Sequence, residues 1–189
     1  MTVLKLVGWK DPVLTTPAQK YDFSASAQSY DLVELCRAMV DTMIAHGGHG
    51  LAAPQVGVPL RVVVIRATPN IAMVNPIIVD SVGVHTLQEA CLSYPGLVLR
   101  VERAQGVKVR YTRPNGEVVT EKYGGLTARA IQHELDHLDG KTILSSTTGV
   151  QRIMAMKKWG KACRIRKTDD PVRVEGELTL TEWAERGRV

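Results

Sequence analysis

The stretch from 132 to 138 reads QHELDHL and contains the pattern H-E-x-x-H, formed by His133, Glu134 and His137. Apolar residues recur around it at helical spacing, so we expect it to lie in a helix. Helical residues four apart lie one turn above each other on the same face. Both imidazoles can therefore bind one metal ion, with Glu134 beside it as a candidate general base.

The flanking residues favour a buried helix over the alternative, a surface helix with two solvated histidines. Leu126, His133 and His137 are spaced seven and four residues apart, so the two histidines continue an apolar stripe. Gly140 follows the last periodic residue, where a left-handed C-cap is expected. We therefore predict a helix over 125–138 with its histidines turned towards packed apolar groups.

A catalytic metal ion commonly takes three protein ligands and leaves one position for water, so a third ligand is needed. A metzincin would place a histidine at position 143, where Ile143 stands, and a gluzincin would use a downstream glutamate such as Glu175 or Glu177 in the polar tail. Cys91 lies upstream in a loop-like setting, before a turn predicted at Tyr94-Pro95-Gly96. A lone cysteine is more often structural than metal-bound, so both roles stay open for Cys91.

A third segment joins a predicted helix to a predicted strand and reads GHGLAAPQ from 48 to 55. Its glycines let the backbone approach a ligand closely, and Gln55 supplies an amide donor. Taken alone, the segment also fits a tight loop with a polar end.

Together the three segments resemble the peptide deformylase family. The family motifs are G-x-G-L-A-A-x-Q, E-G-C-x-S and H-E-x-D-H, and the chain reads GHGLAAPQ at 48–55, EACLS at 89–93 and HELDH at 133–137. The similarity extends from about Leu4 through Arg166. It implies one catalytic domain over 1–166, followed by a polar tail of unknown role over 167–189.

The resemblance implies metal-dependent hydrolysis of the N-formyl group from the formylmethionine of newly made polypeptides, with release of formate. The implied metal ligands are Cys91, His133 and His137. Ferrous iron is the expected divalent ion, and nickel, cobalt or zinc are alternatives, because a thiolate with two imidazoles suits several of these ions.

The same resemblance implies the roles of three further groups. Glu134 takes the proton of the metal-activated water and passes it to the departing amine. The side-chain amide of Gln55 and the backbone N–H of Leu92 stabilise the oxyanion of the tetrahedral intermediate.

The formylmethionine is expected in an apolar pocket beside these groups. The residues expected to border it are Gly48, His49, Gly50, Leu51, Glu89 and Ala90. Glu89 is also expected to form a supporting ion pair with Arg103. Ala90 stands where the family has glycine, and His49 stands where an aliphatic residue is usual, so substrate preference and rate are the properties most affected.

The spacing of apolar residues predicts an α+β fold, with antiparallel strands packed around the metal-binding helix and with an N-terminal and a C-terminal helix. Besides 125–138, helices are predicted over 31–45 and 147–164. Strands are predicted over 61–66, 71–79, 97–103, 107–111 and 118–123, with a turn at 114–116.

The composition indicates a single globular domain in a reducing compartment. The chain has 189 residues, of which 44% are hydrophobic, and no run approaches the length of a membrane span. Its start has no signal-peptide layout. Three cysteines, one of them needed as a thiolate and Cys36 expected in the core, argue against a disulfide scaffold. We therefore expect a cytoplasmic protein without a membrane partner.

The net charge of +5 is concentrated late in the chain. The residues concerned are Lys157, Lys158, Lys161, Arg164, Arg166 and Lys167. Such a helix face is commonly solvated, whereas contact with the ribosome is the alternative that the resemblance implies. No DNA-reading motif accompanies the charge, so DNA is not an expected partner.

Two other functions remain to be distinguished from deformylation. One is another Cys/His/His metallohydrolase or peptidase, which would cleave peptide bonds rather than release formate. The other is a non-catalytic peptide-binding relative, whose expected mark is the loss of Glu134, Gln55 or a metal ligand.

Overall fold

The structure of the chain, a computed structural model, describes residues 1–25, 30–166 and 174–186. Its α-helices are α1 (Leu32–Ala45), α2 (Gly125–Leu138), α3 (Gly149–Arg166) and α4 (Leu180–Arg186). Its strands are β1 (Gly50–Ala52), β2 (Val62–Ile65), β3 (Ile71–Val82), β4 (His85–Cys91), β5 (Tyr94–Arg103), β6 (Gly106–Thr112) and β7 (Val118–Gly124). Short 3-10 helices lie at Pro12–Thr15, Ala53–Val56 and Ile143–Ser146.

The strands form two antiparallel sheets, which confirms the predicted α+β class. The larger sheet has five strands in the order β1-β2-β3-β6-β7, and β4 pairs with β5 in a separate hairpin. The helices predicted over 31–45 and 125–138 are α1 and α2, and the predicted final helix is α3. Asp31 caps α1 by accepting hydrogen bonds from the N–H groups of Val33 and Glu34.

Strand β2 lies between two helices and is buried along its whole length. Successive side chains of a strand point to opposite faces. Val62 and Val64 therefore pack in one apolar cluster with α1, and Val63 and Ile65 pack in another with α2. This arrangement holds α2, which carries the H-E-x-x-H pattern, against the sheet.

The β4–β5 hairpin corrects the expectation that Cys91 lies in a loop. Cys91 is the last residue of β4, and the chain turns at Leu92 and Ser93. The residues predicted to form the turn, Tyr94-Pro95-Gly96, begin β5 instead. Gly96 has a φ of +80°, and the pairing register shifts between Ala90 and Cys91, so the glycine bends a strand here.

The described part of the C-terminal tail packs on the domain. Leu178 forms a parallel bridge with Leu4, and Leu180 and Trp183 of α4 pack against the apolar cluster that contains α1. Helix α4 was not predicted, because a seven-residue helix with two packed apolar residues shows too little periodicity. Residues 167–173 and 187–189 of the predicted tail lie outside the described residues. Among the described helices, none combines the length and the apolar character that crossing a bilayer requires.

Candidate metal centre and active site

The structure brings together the three predicted metal ligands at the contact between α2 and the β4–β5 hairpin. The ligand atoms of Cys91, His133 and His137 all lie within 4.8 Å of one another, and all three residues are buried. The Sγ of Cys91 lies 3.2 Å from Nε2 of His137. One thiol and two imidazoles at this separation are a donor set that fits a single transition-metal ion.

The alternative third ligands lie elsewhere. Ile143 is buried in an apolar cluster, and the carboxylate of Glu177 lies 3.9 Å from Nε2 of His46 instead. Within the part of the chain that the structure describes, no second group of three such side chains is close enough to hold a metal ion. The spatial arrangement therefore favours Cys91 over the downstream glutamates.

Glu89 fixes the orientation of one of these histidines. Its Oε2 lies 3.0 Å from Nδ1 of His133. An ionised carboxylate can only accept a hydrogen bond, so Nδ1 carries the proton and Nε2 keeps its lone pair for a metal ion. This is the arrangement that a histidine ligand needs.

Two arginines hold Glu89 in its ionised form. Arg103 donates from Nε to Oε1 at 2.7 Å and from a terminal nitrogen to Oε2 at 3.0 Å, which confirms the predicted ion pair. Arg129 donates to Oε1 at 2.6 Å. Burial raises the pKa of Glu89, but the hydrogen bonds from His133 and Arg103 outweigh it and lower the pKa to about 2.

The sequence motifs did not indicate Arg129 as a site residue. Its spacing of four residues from His133 nevertheless predicts that both lie on the same helix face. It lies one turn before His133 on α2 and is buried. A buried arginine requires an acidic partner, and Glu89 was the acidic residue already expected near the site.

The electrostatics of Cys91 suit a thiolate ligand. Burial raises the pKa of its thiol, but the charges of His137 and His133 and their hydrogen bonds outweigh burial and bring the pKa well below its usual value. A thiolate is the form of cysteine that binds metal ions.

Glu134 lies beside the metal-ligand group and is itself 4% exposed. Burial raises its pKa to about 6, although the nearby histidines oppose the shift. Gly50 makes room for it, because a Cβ at this position would lie 2.5 Å from Oε1 of Glu134. Within the described residues, Oε2 of Glu134 and Nδ1 of His137 are buried without a hydrogen-bond partner.

Gln55 directs an amide group at the same centre. The N–H of Ala52 donates to its Oε1 at 2.8 Å, which fixes the orientation of the amide. Its Nε2 then lies 3.1 Å from Oγ of Ser93 and 3.8 Å from Sγ of Cys91. The donor side of the amide therefore faces the metal-ligand group.

A cleft of about 550 Å³ opens beside these groups. Of the residues predicted to border the substrate, the structure places these in its lining: Gly48, His49, Gly50, Glu89 and Ala90. Leu92, predicted as an oxyanion donor, also lines the cleft. Gly48 is close to Leu92, since a Cβ on Gly48 would lie 3.1 Å from Cδ1 of Leu92. Leu126, expected in the buried stripe, also lines the cleft and is exposed.

Leu51 corrects one prediction. Its side chain is fully buried and packs in the cluster around α1. Because side chains alternate along a strand, Gly50 faces the cleft and Leu51 faces the core. The lining also contains His46 and Val174, which no sequence motif indicated.

The chain is similar to the known members of one family. The family model described as "Polypeptide deformylase" matches residues 3–152. The peptide deformylase of Aquifex aeolicus is 38% identical over 172 residues, covering 87% of this chain and 99% of that protein. Peptide deformylase 1 of Bacillus anthracis is 43% identical over 152 residues, covering 78% of this chain and 94% of that protein.

Solved structures show the same relationship. The crystal structure of a peptide deformylase from Legionella pneumophila has a TM-score of 0.78 and 35% sequence identity, and the alignment covers 88% of this chain and 98% of that one. The peptide deformylase from Thermus thermophilus has a TM-score of 0.77 at 30% identity, over 86% of this chain and 96% of that one.

Proposed function

The chain belongs to the polypeptide deformylase family, whose members remove the N-formyl group from nascent peptides, and from this premise we propose how its residues carry out that reaction. The observation that supports the proposal most strongly is the convergence of Cys91, His133 and His137 beside the buried carboxylate of Glu134. A non-catalytic relative would be expected to lack Glu134, Gln55 or a metal ligand. This chain has all of these residues.

We assign Cys91, His133 and His137 as the ligands of the catalytic metal ion. When bound, the ion supplies an activated water molecule for attack on the formyl carbon. The protein's part is to hold the donors in place: Glu89 orients His133, and the end of β4 positions the Cys91 thiolate. Substitution of a ligand should therefore lower metal content.

Ligand substitution tests this assignment directly. The variants Cys91→Ala and His133→Ala should bind much less than one metal ion per chain after identical loading, while Cys163→Ala serves as the matched cysteine control. Metal content is measured by elemental analysis and folding by circular dichroism. Full metal content in a folded Cys91→Ala variant would contradict the assignment.

We propose Glu134 as the general base and acid. Its pKa of about 6 lies above that of an ordinary carboxyl group, so its conjugate base accepts a proton readily near neutral pH. The carboxylate takes a proton from the attacking water and delivers it to the amine nitrogen as the C–N bond breaks. Gly50 leaves space for this carboxylate, because it has no side chain.

We propose that Gln55 and Leu92 stabilise the oxyanion. The amide of Gln55 is already oriented by Ala52, so its N–H donor needs no reorganisation during the reaction. The backbone N–H of Leu92 is the second donor, at the turn that follows Cys91.

Ferrous iron is the proposed natural metal ion, with nickel, cobalt and zinc as alternatives. The donor set suits several of these ions. The iron-loaded and nickel-loaded forms of the protein should differ in their stability in air. Iron-loaded protein should lose activity in air within the assay period through oxidation of iron and its thiolate, whereas nickel-loaded protein should keep it. Equal air stability of the two forms would contradict this iron-specific lability.

We also propose that the protein works in the cytoplasm and contacts the ribosome through α3. Lys157, Lys158, Lys161 and Arg164 are exposed on this helix, and apolar Ile153 is exposed beside them. The side chain of Arg166 and residue Lys167 lie outside the described residues. Co-sedimentation with ribosomes should fall with added salt and in a Lys157→Glu, Lys161→Glu variant; unchanged co-sedimentation would contradict the contact.

A further inference from the structure

We propose that Val174, outside the family motifs, forms one wall of the substrate cleft and selects formylmethionyl peptides with an apolar side chain in the third position. The inference rests on the proposed role of the cleft as the peptide-binding site. The family model ends at residue 152, so this wall comes from a part of the chain that the family match does not include.

The wall belongs to a segment that is firmly attached to the domain, residues 174–186, which we call the C-terminal strap. The N–H of Lys5 donates to the carbonyl of Leu178 at 2.6 Å, and the N–H of Leu178 donates to the carbonyl of Val3 at 2.7 Å. Trp183 packs against the cluster around α1 and stacks on Tyr30 with ring centroids 6.2 Å apart. These contacts fix the position of the strap.

The strap begins with a tight turn over 174–177. The N–H of Glu177 donates to the carbonyl of Val174 at 3.3 Å, and Gly176 supplies the positive φ of +77° that the third position of such a turn requires. The carboxylate of Glu177 accepts a hydrogen bond from the N–H of Val174 at 3.2 Å. The turn is therefore held at both of its ends.

Glu177 also connects the turn to the end of α1. Its side chain is 10% exposed, and Oε2 lies 3.9 Å from Nε2 of His46. His46 and Val174 both line the cleft that contains Glu134. Through Glu177 the strap therefore lies against His46 at the cleft rim, where Val174 also lies.

The cleft has a chemical end, where Gly50 touches the carboxylate of Glu134. The formyl group must reach this carboxylate, so we place the formylmethionine here. We assign the His46 side of the lining, at the C-cap of α1, to the rest of the peptide. The residues that follow the formylmethionine extend about 3.3 Å each towards the His46 side.

Apolar residues contribute to the lining together with Val174. Val174 is half-buried, and Leu6 and Ala45 also line the cleft. An apolar side chain in the third position of the peptide would lose water against these groups, whereas a serine would gain little. The predicted result is a preference that appears only in peptides long enough to reach the wall.

Three substrates test the inference: formyl-Met-Ala, formyl-Met-Ala-Ser and formyl-Met-Ala-Leu. Val174→Thr keeps the volume of the side chain and removes its apolar character, and Val174→Ala removes volume. Both variants should lower kcat/KM for formyl-Met-Ala-Leu by about three- to ten-fold, mainly through KM, and leave formyl-Met-Ala within two-fold. Val118→Thr, at an exposed position of β7, is the matched control and should change neither.

Glu177 acts as a positioning residue and gives a second test. Glu177→Ala removes the acceptor for the Val174 N–H. It should lower kcat/KM in the same way, through a higher KM, and only for the longer apolar peptide. Glu177→Gln keeps an oxygen acceptor and should restore most of the preference. A general loss of stability would instead affect both peptide lengths equally, and melting curves measure it independently.

The outcomes distinguish a failure of the proposed deformylase function from a failure of the role assigned to Val174. If the wild-type protein releases no formate from any of the three peptides, the proposed function and this inference both fail. If all variants turn over formyl-Met-Ala normally and treat the leucine and serine peptides as the wild-type protein does, the cleft keeps its role and only the assignment of Val174 is overturned.

Discussion

Glu134 is the residue on which the proposed chemistry depends most. It binds no metal ion in our assignment, so Glu134→Gln should keep the full metal content. It should nevertheless lower turnover by about 10²- to 10⁴-fold, because an amide cannot take the proton of the attacking water. Metal analysis and formate release are measured on the same sample.

A matched control separates this effect from a change of charge alone. Glu102→Gln, at an exposed position of β5, should leave turnover and metal content unchanged. Near wild-type turnover of a fully loaded Glu134→Gln variant would show that another group moves the proton.

Ala90 is the clearest departure from the family pattern, and its surroundings accept the methyl group. Its side chain is exposed in the cleft. Among the described residues other than glycine, only Asn75 has a positive φ, so the backbone at Ala90 does not require glycine. Ala90→Gly should leave kcat/KM unchanged and lower the free energy of unfolding by about 0.4–1 kcal/mol through the entropy of the unfolded chain.

Kinetics on two peptides that differ after methionine, together with a melting curve, test the Ala90 prediction. A large gain in activity without a loss of stability would instead mean that the methyl group narrows the cleft.

Single residues differ in how far the sequence could predict them. Cys91, Gln55, Glu134 and the two histidines belong to ordered motifs that resemble those of a known family, and it was this resemblance that predicted their proximity. Leu51 was assigned to the cleft because it lies inside a motif, but strand alternation turns its side chain to the core. Val174 is brought to the cleft by long-range packing that no local pattern records.

At the scale of elements, helices α1 and α2 were easier to predict than the hairpin that carries Cys91. Helix α2 has one buried face and a clear apolar spacing, and its bounds agree with the prediction. Strand β4 has the sequence HTLQEAC, in which only Glu89 and Cys91 are buried. Its buried acid is stabilised by Arg103 and Arg129 from other elements, so hydrophobic alternation could not reveal it.

Helix α1 carries a pH-dependent contribution to stability at Cys36. Burial raises the pKa of this thiol from 9.0 to about 12. Between these values the unfolded chain loses the proton while the folded chain keeps it, so the unfolded state binds fewer protons. Stability therefore falls as the pH rises from about 9 to about 12, by at most about 1.4 kcal/mol per pH unit.

Cys36→Ala removes this pH dependence. At pH 8 the variant should be less stable than the wild-type protein by about 1–2 kcal/mol, because a packed sulfur atom is lost. The difference should shrink as the pH rises above about 9. Urea unfolding of both proteins under reducing conditions at several pH values measures it, and a difference that stays constant with pH would contradict the burial of Cys36.

At the scale of the whole molecule, the fold explains how residues distant in the chain form one site. Strand β2 fixes α1 and α2 on opposite faces of the sheet, and the β4–β5 hairpin closes against α2 through Glu89, Arg103 and Arg129. The α+β class and the central helix could be predicted from motifs and spacing. The pairing order of the strands and the docking of the C-terminal strap depend on contacts between distant segments, which one sequence does not display.

Formate release from formyl-Met-Ala-Ser by the metal-loaded protein tests the central conclusion most directly. One formate should appear for each free methionyl amine, and the Met-Ala and Ala-Ser bonds should remain intact. Unformylated Met-Ala-Ser should stay uncleaved under the same conditions. Cleavage of a peptide bond, or no formate from a sample with full metal content, would contradict a deformylase site built from Cys91, His133, His137 and Glu134.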